Sequence, residues 1–202
     1  MKPELSPKAA EIVACARSLL AAGGYNSFSY ADISETVRIS KASVHHHFPS
    51  KAELVWTAVE IYREDARAGM TALDQQLDNP LAQLQAYVGH WAACIHDGTS
   101  PLCICAMLAA ELPAIPEEVA TSVREHFLEL AAWLASVLKR GVSMGVFVLD
   151  GAPHVEARTF MATVHGAMLS ARACGDPDMF GAIVQPLIKR LTVRASSRSK
   201  PS

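Results

Sequence analysis

The 202-residue sequence predicts an all-α fold. Segments of helical length are rich in Ala, Leu and Glu, and the apolar–polar alternation typical of strands does not recur. Short separators that each contain proline divide these segments: DGTSP, LPAIP, LDGAP and CGDPD. The longest apolar runs, such as AAWLASVL, stop well short of the roughly 18 to 20 residues that a bilayer span needs.

The first three helices are marked by serine N-caps, and they end at Gly23-Gly24, at a turn over Arg38-Ile39 and at Pro49-Ser50. Their expected ranges are 7–22 after Ser6, 30–37 after Ser29 and 41–47 after Ser40. A long helix over 51–76 should follow until Asn79-Pro80 breaks it. The remaining helices are expected at 81–96, 102–111, 116–144, 154–173 and 177–193, before a flexible tail over 195–202.

Composition narrows the class of protein. The N-terminal segment has recurrent charge and no apolar core of a signal peptide, which predicts a cytoplasmic protein without a membrane partner. The five cysteines form an odd set, which suits free thiols in a reducing compartment. The formal net charge is −2, yet residues 1–51 carry six Lys/Arg against four Asp/Glu, so the chain has a mildly basic front and an acidic body.

Two short helices joined by a tight turn, 30–37 and 41–47, have the dimensions of a helix-turn-helix. In that motif the second helix enters the major groove of DNA and presents its N-terminal side chains to base edges. Here those side chains would be Lys41, Ala42 and Ser43, together with His45 or His46.

The run His45-His46-His47 on this helix raises the alternative of a metal site. Neighbouring residues on a helix point about 100° apart, so three in sequence do not converge on one ion. We therefore predict no metal at this triplet, with His47 as the one histidine that faces inward.

The stretch FSYADISETVRISKASVHHHFPSKAELV resembles the DNA-binding module of the TetR family of bacterial repressors. The resemblance implies that Phe48 packs a small core with Ile12, Leu20, Ile33 and Val44. It also places the following residues against DNA: Ser29, Lys41, Ser43, His45, His46 and Lys51.

The sequence departs from this pattern at two positions. Arg38 occupies a turn position that is usually glycine, which would cost about 1 kcal/mol if the residue is left-handed, and a phosphate contact from the arginine would offset that cost. His45 stands where tyrosine is common and keeps a hydrogen-bond donor. Residues 1–50 are then the DNA-binding domain, and 51–194 form a helical ligand-binding and dimerisation domain.

The segment PLCICAMLAAELPAIPEEV resembles a subgroup of the family that senses electrophiles or unsaturated acids and aldehydes through a cysteine. Cys103 is the matching position, and a helix N-terminus would favour its thiolate. The alternative is a buried structural cysteine. Cys105 should face the opposite way, which argues against a Cys-x-Cys metal site, and Cys94 or Cys174 could pair with Cys103 only if folding brings one of them close.

The rest of the body supplies candidates for ligand binding and dimer formation. Side chains at helical spacing form either a core or a ligand cavity: Trp91, Met107, Phe127, Trp133, Met161 and His165. The resemblance implies that the last two helices pair in a dimer, where four small residues would permit close packing unless they face the protomer's own core: Ala162, Gly166, Ala167 and Ala171.

The sequence contains no paired carboxylates, Ser-His-Asp order, Gly-rich phosphate loop or HExxH, so we expect neither catalysis nor a cofactor. It predicts a ligand- or thiol-responsive repressor that binds a palindromic DNA operator as a homodimer and responds to a small-molecule inducer or electrophile. The alternative is a helical binding protein or enzyme that keeps the helix-turn-helix only as a scaffold.

Overall fold

The computed structural model describes residues 5–98 and 102–192. The helices in these ranges are α1 (Pro7–Gly23), α2 (Tyr30–Val37), α3 (Lys41–His47), α4 (Lys51–Gln76), α5 (Pro80–Asp97), α6 (Ile104–Ala109), α7 (Glu117–Ser143), α8 (Pro153–Cys174) and α9 (Asp178–Leu191). Two 3-10 turns lie in the connections: Tyr25–Ser27 between α1 and α2, and Leu112–Ala114 between α6 and α7. A single bridge between Phe147 and Thr192 is the one β contact within the described residues. The all-α prediction is confirmed, whereas the predicted tail over 195–202 lies outside the described residues.

The helix starts follow the side chains that cap them. The hydroxyls of Ser6, Ser40 and Ser50 accept hydrogen bonds from backbone amides three residues on, at 3.1 to 3.2 Å. Asn79 does the same for α5, with its side-chain oxygen 2.9 Å from the amide nitrogen of Leu81. Each cap satisfies amides that the first turn of a helix leaves without a partner, which fixes where the helix begins.

The N-terminal three helices enclose the small core that the sequence predicts. Ile12, Leu20, Ile33, Val44 and Phe48 are all buried. α1 also packs on α4 and α6, so this core continues into the body. The N-terminal three-helix segment is therefore anchored to the rest of the chain through α1.

The body is built around α7, which packs against α4, α5, α6 and α8, while α9 packs on α8. A buried arginine joins α4 to α7. The guanidinium of Arg63 forms ion pairs at 2.6 Å with Glu60 of its own helix and with Glu125 and Glu129 of α7. A buried cation needs such partners, so this cluster fixes the middle of α4 against α7.

Candidate DNA-binding surface and sensor cavity

The outer face of α3 consists of the residues that the sequence assigned to DNA. Lys41, Ala42, His45 and His46 are exposed, and Ser43 is half-buried. His47 is the most enclosed of the three histidines, although only half-buried. The helix thus offers one cation and two imidazoles to solvent, on a segment of seven residues.

The exposed His45 packs on one side against a ring of α2. Its ring packs edge-on against Tyr30, with centroids 4.6 Å apart. The Tyr30 hydroxyl donates a 2.8 Å hydrogen bond to the carbonyl of Phe48, and burial raises the pKa of Tyr30 to about 12. Tyr30 therefore stays a neutral donor and links the start of α2 to the end of α3.

Ser29 and Asp32 form a capping box at the start of α2. The Ser29 hydroxyl accepts from the amide of Ala31 at 3.2 Å, and the Asp32 carboxylate accepts from the Ser29 hydroxyl and amide, both at 2.7 Å. The hydrogen bonds from Ser29 lower the pKa of Asp32. Ser29 is exposed, so the cap leaves it at the surface where the sequence placed it.

Arg38 ends α2 in the left-handed conformation, with φ 57° and ψ 50°. It is the one residue other than glycine with a positive φ in the part of the chain that the structure describes. The conformation costs about 1 to 2 kcal/mol for a residue with a Cβ. The side chain is exposed beside the turn between the two helices.

The side chain of Lys51 is half-buried and folds back against two aromatic rings. The ammonium group donates to the carbonyl of Phe28 and lies over the rings of Phe28 and Tyr25, 4.2 and 4.7 Å from their centroids. Burial lowers the pKa of Lys51. The ammonium is thus engaged by the protein while the side chain is half-buried, and the contact of Lys51 with DNA stays a prediction.

A cavity of about 470 Å³ lies between α4, α5, α7 and α8 and reaches α1. Three of the residues proposed for a ligand line it, namely Cys103, Trp91 and His165. The other lining residues are Arg17, Tyr62, Asp65, Ala66, Gly69, Met70, Leu73, Ala86, Tyr87, His90, Cys94, His126 and Leu130. Three of the six residues predicted for a ligand therefore line one cavity, and their role in ligand binding stays a prediction.

Met107, Trp133 and Met161 are not among the residues that line this cavity. The Met107 sulfur lies 3.7 Å from an Arg172 nitrogen, and the Trp133 indole donates to Asp74 at 3.2 Å. Met161 is half-buried against the core. The prediction for these three residues rested on residue type and helical spacing, and neither determines on which side of a buried helix a side chain lies.

The cavity wall contains buried polar atoms that no hydrogen bond satisfies. Within the described ranges, the Tyr87 hydroxyl, the Trp91 indole nitrogen and Nε2 of His165 have no hydrogen-bond partner. Such atoms are costly unless something binds them. Arg17 lies in the same wall and pairs with Asp65 at 2.8 Å, which joins α1 to α4.

Cys103 lies at the start of α6 and is fully enclosed, with 1% of its surface exposed. Its sulfur is 3.8 Å from Nε2 of His126. The expectation that Cys105 faces the opposite way is wrong: the two sulfurs and a nitrogen of His126 lie within 4.8 Å of one another. The reason is that Cys103 is extended, with φ −60° and ψ 122°, and precedes the first helical turn, so helical spacing does not separate the two cysteines.

The two thiols differ in acidity. Burial opposes the thiolate of Cys103, but hydrogen bonds from Cys105 and His126 outweigh it and lower the pKa of Cys103 well below its usual value of 9.0. Burial and the neighbouring Cys103 raise the pKa of Cys105. Within the pair, Cys105 is thus the hydrogen-bond donor, and Cys103 is the thiol that loses its proton more easily. Of the other thiols, Cys94 lines the cavity near His90 and Cys174 is exposed, so neither belongs to this pair.

Glu111, two residues after the end of α6, connects the region of Cys103 to the N-terminal three-helix segment. Its carboxylate accepts hydrogen bonds from the amides of Tyr25 and Asn26, at 2.7 and 3.2 Å, and from the Asn26 side chain at 2.7 Å. On the neighbouring surface the guanidinium of Arg172 in α8 donates to the carbonyls of Ala21 and Ala22 at the end of α1. Both contacts hold the end of α1 against the body.

The outward face of α8 and α9 carries exposed apolar side chains. Val155, Leu169 and Ile183 are 50%, 49% and 36% exposed. Ala162 and Gly166 lie exposed between them on α8, and a Cβ added at Gly166 would meet nothing within 4 Å. Ala167 and Ala171 are buried inside the protomer, which corrects their assignment to an outer face.

A helix-turn-helix with an exposed second helix, joined to a larger helical body that encloses a cavity, defines a DNA-binding transcriptional regulator. Residues 12–56 match the family described as bacterial regulatory proteins, tetR family, and residues 80–187 match the tetracyclin repressor-like C-terminal domain. The chain belongs to the TetR family. Because this family and the relatives below are regulators, the prediction that the protein is not an enzyme is confirmed.

Relatives of known structure share the whole fold. A TetR-family transcriptional regulator from Agrobacterium tumefaciens is 54% identical, with a TM-score of 0.91 over 92% of this chain and 98% of that chain. The reduced form of NemR from E. coli is 18% identical, with a TM-score of 0.80 over 93% and 99%. The HTH-type transcriptional regulator CymR from Pseudomonas putida is 28% identical over 139 residues, which is 66% of each chain.

Among the described residues no helix is long and apolar enough to cross a bilayer.

Proposed function

We propose that this protein is a homodimeric repressor that binds a palindromic operator and releases it when a small molecule occupies or modifies the sensor cavity. The single observation that carries the ligand response is the position of Cys103, an acidified thiol inside a cavity of about 470 Å³. The DNA-binding domain is taken as residues 1–50 and the regulatory domain as 51–194.

DNA recognition is assigned to the exposed residues of α3, with Ser29 and Arg38 beside it. Lys41 and Arg38 supply the positive charge that phosphates attract, and Ala42, Ser43, His45 and His46 are placed to meet base edges or sugar–phosphate groups. Affinity should therefore fall steeply with salt, because each phosphate contact releases counterions.

The homodimer is assigned to the apolar face of α8 and α9. Exposed side chains of this kind, Val155, Leu169 and Ile183, surround the small residues Ala162 and Gly166, where two backbones can approach closely. A two-fold axis through this face would present two copies of α3 to half-sites about 34 to 36 Å apart. The operator would then be palindromic.

Two kinds of inducer fit the cavity. In the covalent reaction, the Cys103 thiolate adds to the β-carbon of an α,β-unsaturated carbonyl compound: the C–S bond forms as the C=C π bond breaks, and the α-carbon takes a proton. In the noncovalent case, a small apolar molecule with hydrogen-bond acceptors satisfies the indole of Trp91 and the hydroxyl of Tyr87, which lack partners within the described ranges. Both would act by favouring the conformation that does not bind DNA.

Transmission to DNA is assigned to α6 and Glu111. α6 begins directly after Cys103, and Glu111, which follows its end, binds the amides of Tyr25 and Asn26 in the DNA-binding segment. An adduct on Cys103 would displace the start of α6, and its far end would carry that displacement to the turn after α1. The equilibrium between DNA-bound and released forms would shift accordingly.

Selection from random duplexes, followed by titration of the enriched sequence at several salt concentrations, tests the regulator. Enrichment of a palindrome bound by one dimer is the expected result. Failure to enrich any sequence would favour the alternative, a helical binding protein in which the helix-turn-helix is only a scaffold. For the inducer, release of DNA by an electrophile should be lost in Cys103→Ser, and release that persists in this variant would leave only the noncovalent mode.

A further inference from the structure

Three buried metal-binding groups meet at the start of α6. Cys103, Cys105 and His126 are 1%, 0% and 4% exposed, and their sulfur and nitrogen atoms lie within 4.8 Å of one another. In the part of the chain that the structure describes, no other three Cys, His, Asp or Glu residues converge in this way. The convergence arises because Cys103 precedes the helix while Cys105 lies inside its first turn.

A fourth group of the same kind lines the same cavity. His165 of α8 is 8% exposed, and its Nε2 has no hydrogen-bond partner among the described residues. The rings of both histidines contact Phe127, with centroids 5.8 Å from His126 and 5.2 Å from His165. Both imidazoles therefore share an aromatic neighbour, and His165 lies outside the group of three whose ligand atoms are within 4.8 Å of one another.

We propose that Cys103, Cys105 and His126 bind a thiophilic metal ion, with His165 as the fourth ligand, and that Zn²⁺ is the ion that fits best. Two thiolates and two imidazoles are a common tetrahedral set for Zn²⁺, with Zn–S about 2.3 Å and Zn–N about 2.0 to 2.1 Å. Those bond lengths place the ligand atoms about 3.3 to 3.8 Å apart. The 3.8 Å between Cys103 Sγ and His126 Nε2 is within about 0.3 Å of the sulfur–nitrogen value. The group of three has to contract by up to about 1 Å, and His165 has to move towards it.

Charge also favours a divalent ion at this depth. Binding of Zn²⁺ displaces the thiol protons of Cys103 and Cys105 to solvent, and the two thiolates then neutralise the ion. A neutral complex avoids the cost of an unpaired charge in a buried site. The ion would tie the start of α6 to α7 and α8, since its ligands come from these three places in the chain.

The test uses the full chain, reduced and freed of metal, with Zn²⁺ titrated against a chromophoric chelator. We expect one Zn²⁺ per chain, with the affinity lowered at least about 100-fold in Cys105→Ser and in His126→Gln. Loss of a residue that only hydrogen-bonds to a metal ligand lowers the affinity by about 10- to 100-fold, and loss of a ligand itself should lower it further. Cys94→Ser and Cys174→Ser are the matched controls and should bind like the unchanged protein. Equal affinity in Cys105→Ser, or loss in the control variants, would overturn the proposal.

A second measurement requires no variant and so does not depend on whether a core substitution folds. X-ray absorption of the Zn²⁺-loaded protein should show two sulfur and two nitrogen neighbours, whereas a shell of oxygen and nitrogen alone would overturn the proposal. Neither measurement involves DNA or an electrophile. Failure here therefore leaves the proposed repressor function intact, and failure of operator binding leaves the metal site intact.

Discussion

The carboxylate of Glu111 lies 2.7 Å from the backbone nitrogen of Tyr25, across a sequence separation of 86 residues. This hydrogen bond joins the segment after the sensor helix to the turn between α1 and α2. The same carboxylate also receives the amide and side chain of Asn26. One side chain therefore holds three donors of the DNA-binding segment.

Glu111→Gln should weaken this connection. The glutamine side chain keeps one acceptor oxygen but replaces the other with an NH₂ group, which would face the two donors of Asn26. Hydrogen bonds to a charged group are worth about 1.5 to 3 kcal/mol each. We expect a loss of about 1 to 3 kcal/mol in unfolding free energy, measured by urea denaturation, and a smaller effect of inducer on operator affinity. Glu118→Gln, an exposed neighbour, is the control. An unchanged inducer response in Glu111→Gln would exclude this route of transmission.

Arg38→Gly separates stability from DNA binding. Glycine adopts the left-handed conformation of residue 38 without the steric cost, so the protein should gain about 1 kcal/mol in unfolding free energy. Loss of the exposed guanidinium should weaken operator binding. Arg38→Lys is the control, because it keeps both the positive charge and the backbone strain. It should change the unfolding free energy and the operator affinity less than Arg38→Gly does. A glycine variant that binds the operator with unchanged affinity would show that Arg38 makes no phosphate contact.

Lys41 and Lys51 should respond differently to removal of their charge. Lys41→Met removes an exposed cation from α3, and the slope of log affinity against log salt should fall by about 1. Lys51→Met removes a cation that lies over two aromatic rings inside the protein, so it should lower stability and leave that slope unchanged. Fluorescence anisotropy at several salt concentrations and urea denaturation distinguish the two. Equal slopes in both variants would contradict the inward placement of Lys51.

The alkylation rate of Cys103 should depend on pH in a way that follows its lowered pKa. Because the pKa of Cys103 is lowered, its alkylation rate should level off at a lower pH than that of an ordinary thiol, whose rate still rises steeply between pH 7 and 9. Mass spectrometry of Cys174→Ser protein, which lacks the exposed thiol, measures the rate. A rate that rises throughout this range, as for a free cysteine, would mean that Cys103 has an ordinary pKa.

Leu169 and Leu128 form a matched pair for the dimer. Both are exposed leucines, at 49% and 65%, but Leu169 lies on the apolar face of α8 and Leu128 lies on α7. Leu169→Glu would place a charge in the contact and should produce monomers in sedimentation, with weaker operator binding. Leu128→Glu should stay dimeric. Monomers from Leu128→Glu but not from Leu169→Glu would assign the interface to α7 instead.

Local signals in the sequence were sufficient for the helices and for the DNA-binding segment. Ser29 and Ser40 each mark a helix start by bonding amides a few residues on, so their effect needs no knowledge of tertiary structure. The resemblance marked position 38 as one that is usually glycine, and the structure shows Arg38 in the left-handed conformation there.

Contacts between distant helices account for what the sequence did not predict. Tyr62, Tyr87 and His126 line the cavity because α4, α5 and α7 pack together, and no spacing within one helix indicates that. The sequence did not predict the convergence of Cys103 and Cys105 because helical spacing does not hold for Cys103, which lies one residue before the helix begins at Ile104. The inward course of Lys51 depends on Tyr25 and Phe28, two rings that the chain brings together only after folding.

The buried cluster at Arg63 has a mechanical consequence for α4. Three carboxylates fix this residue near the middle of a helix that runs from Lys51 to Gln76. At 1.5 Å per residue, the arms on either side are about 18 and 20 Å long. If α4 were to tilt about Arg63 as a rigid helix, its two ends would move by similar distances in opposite directions.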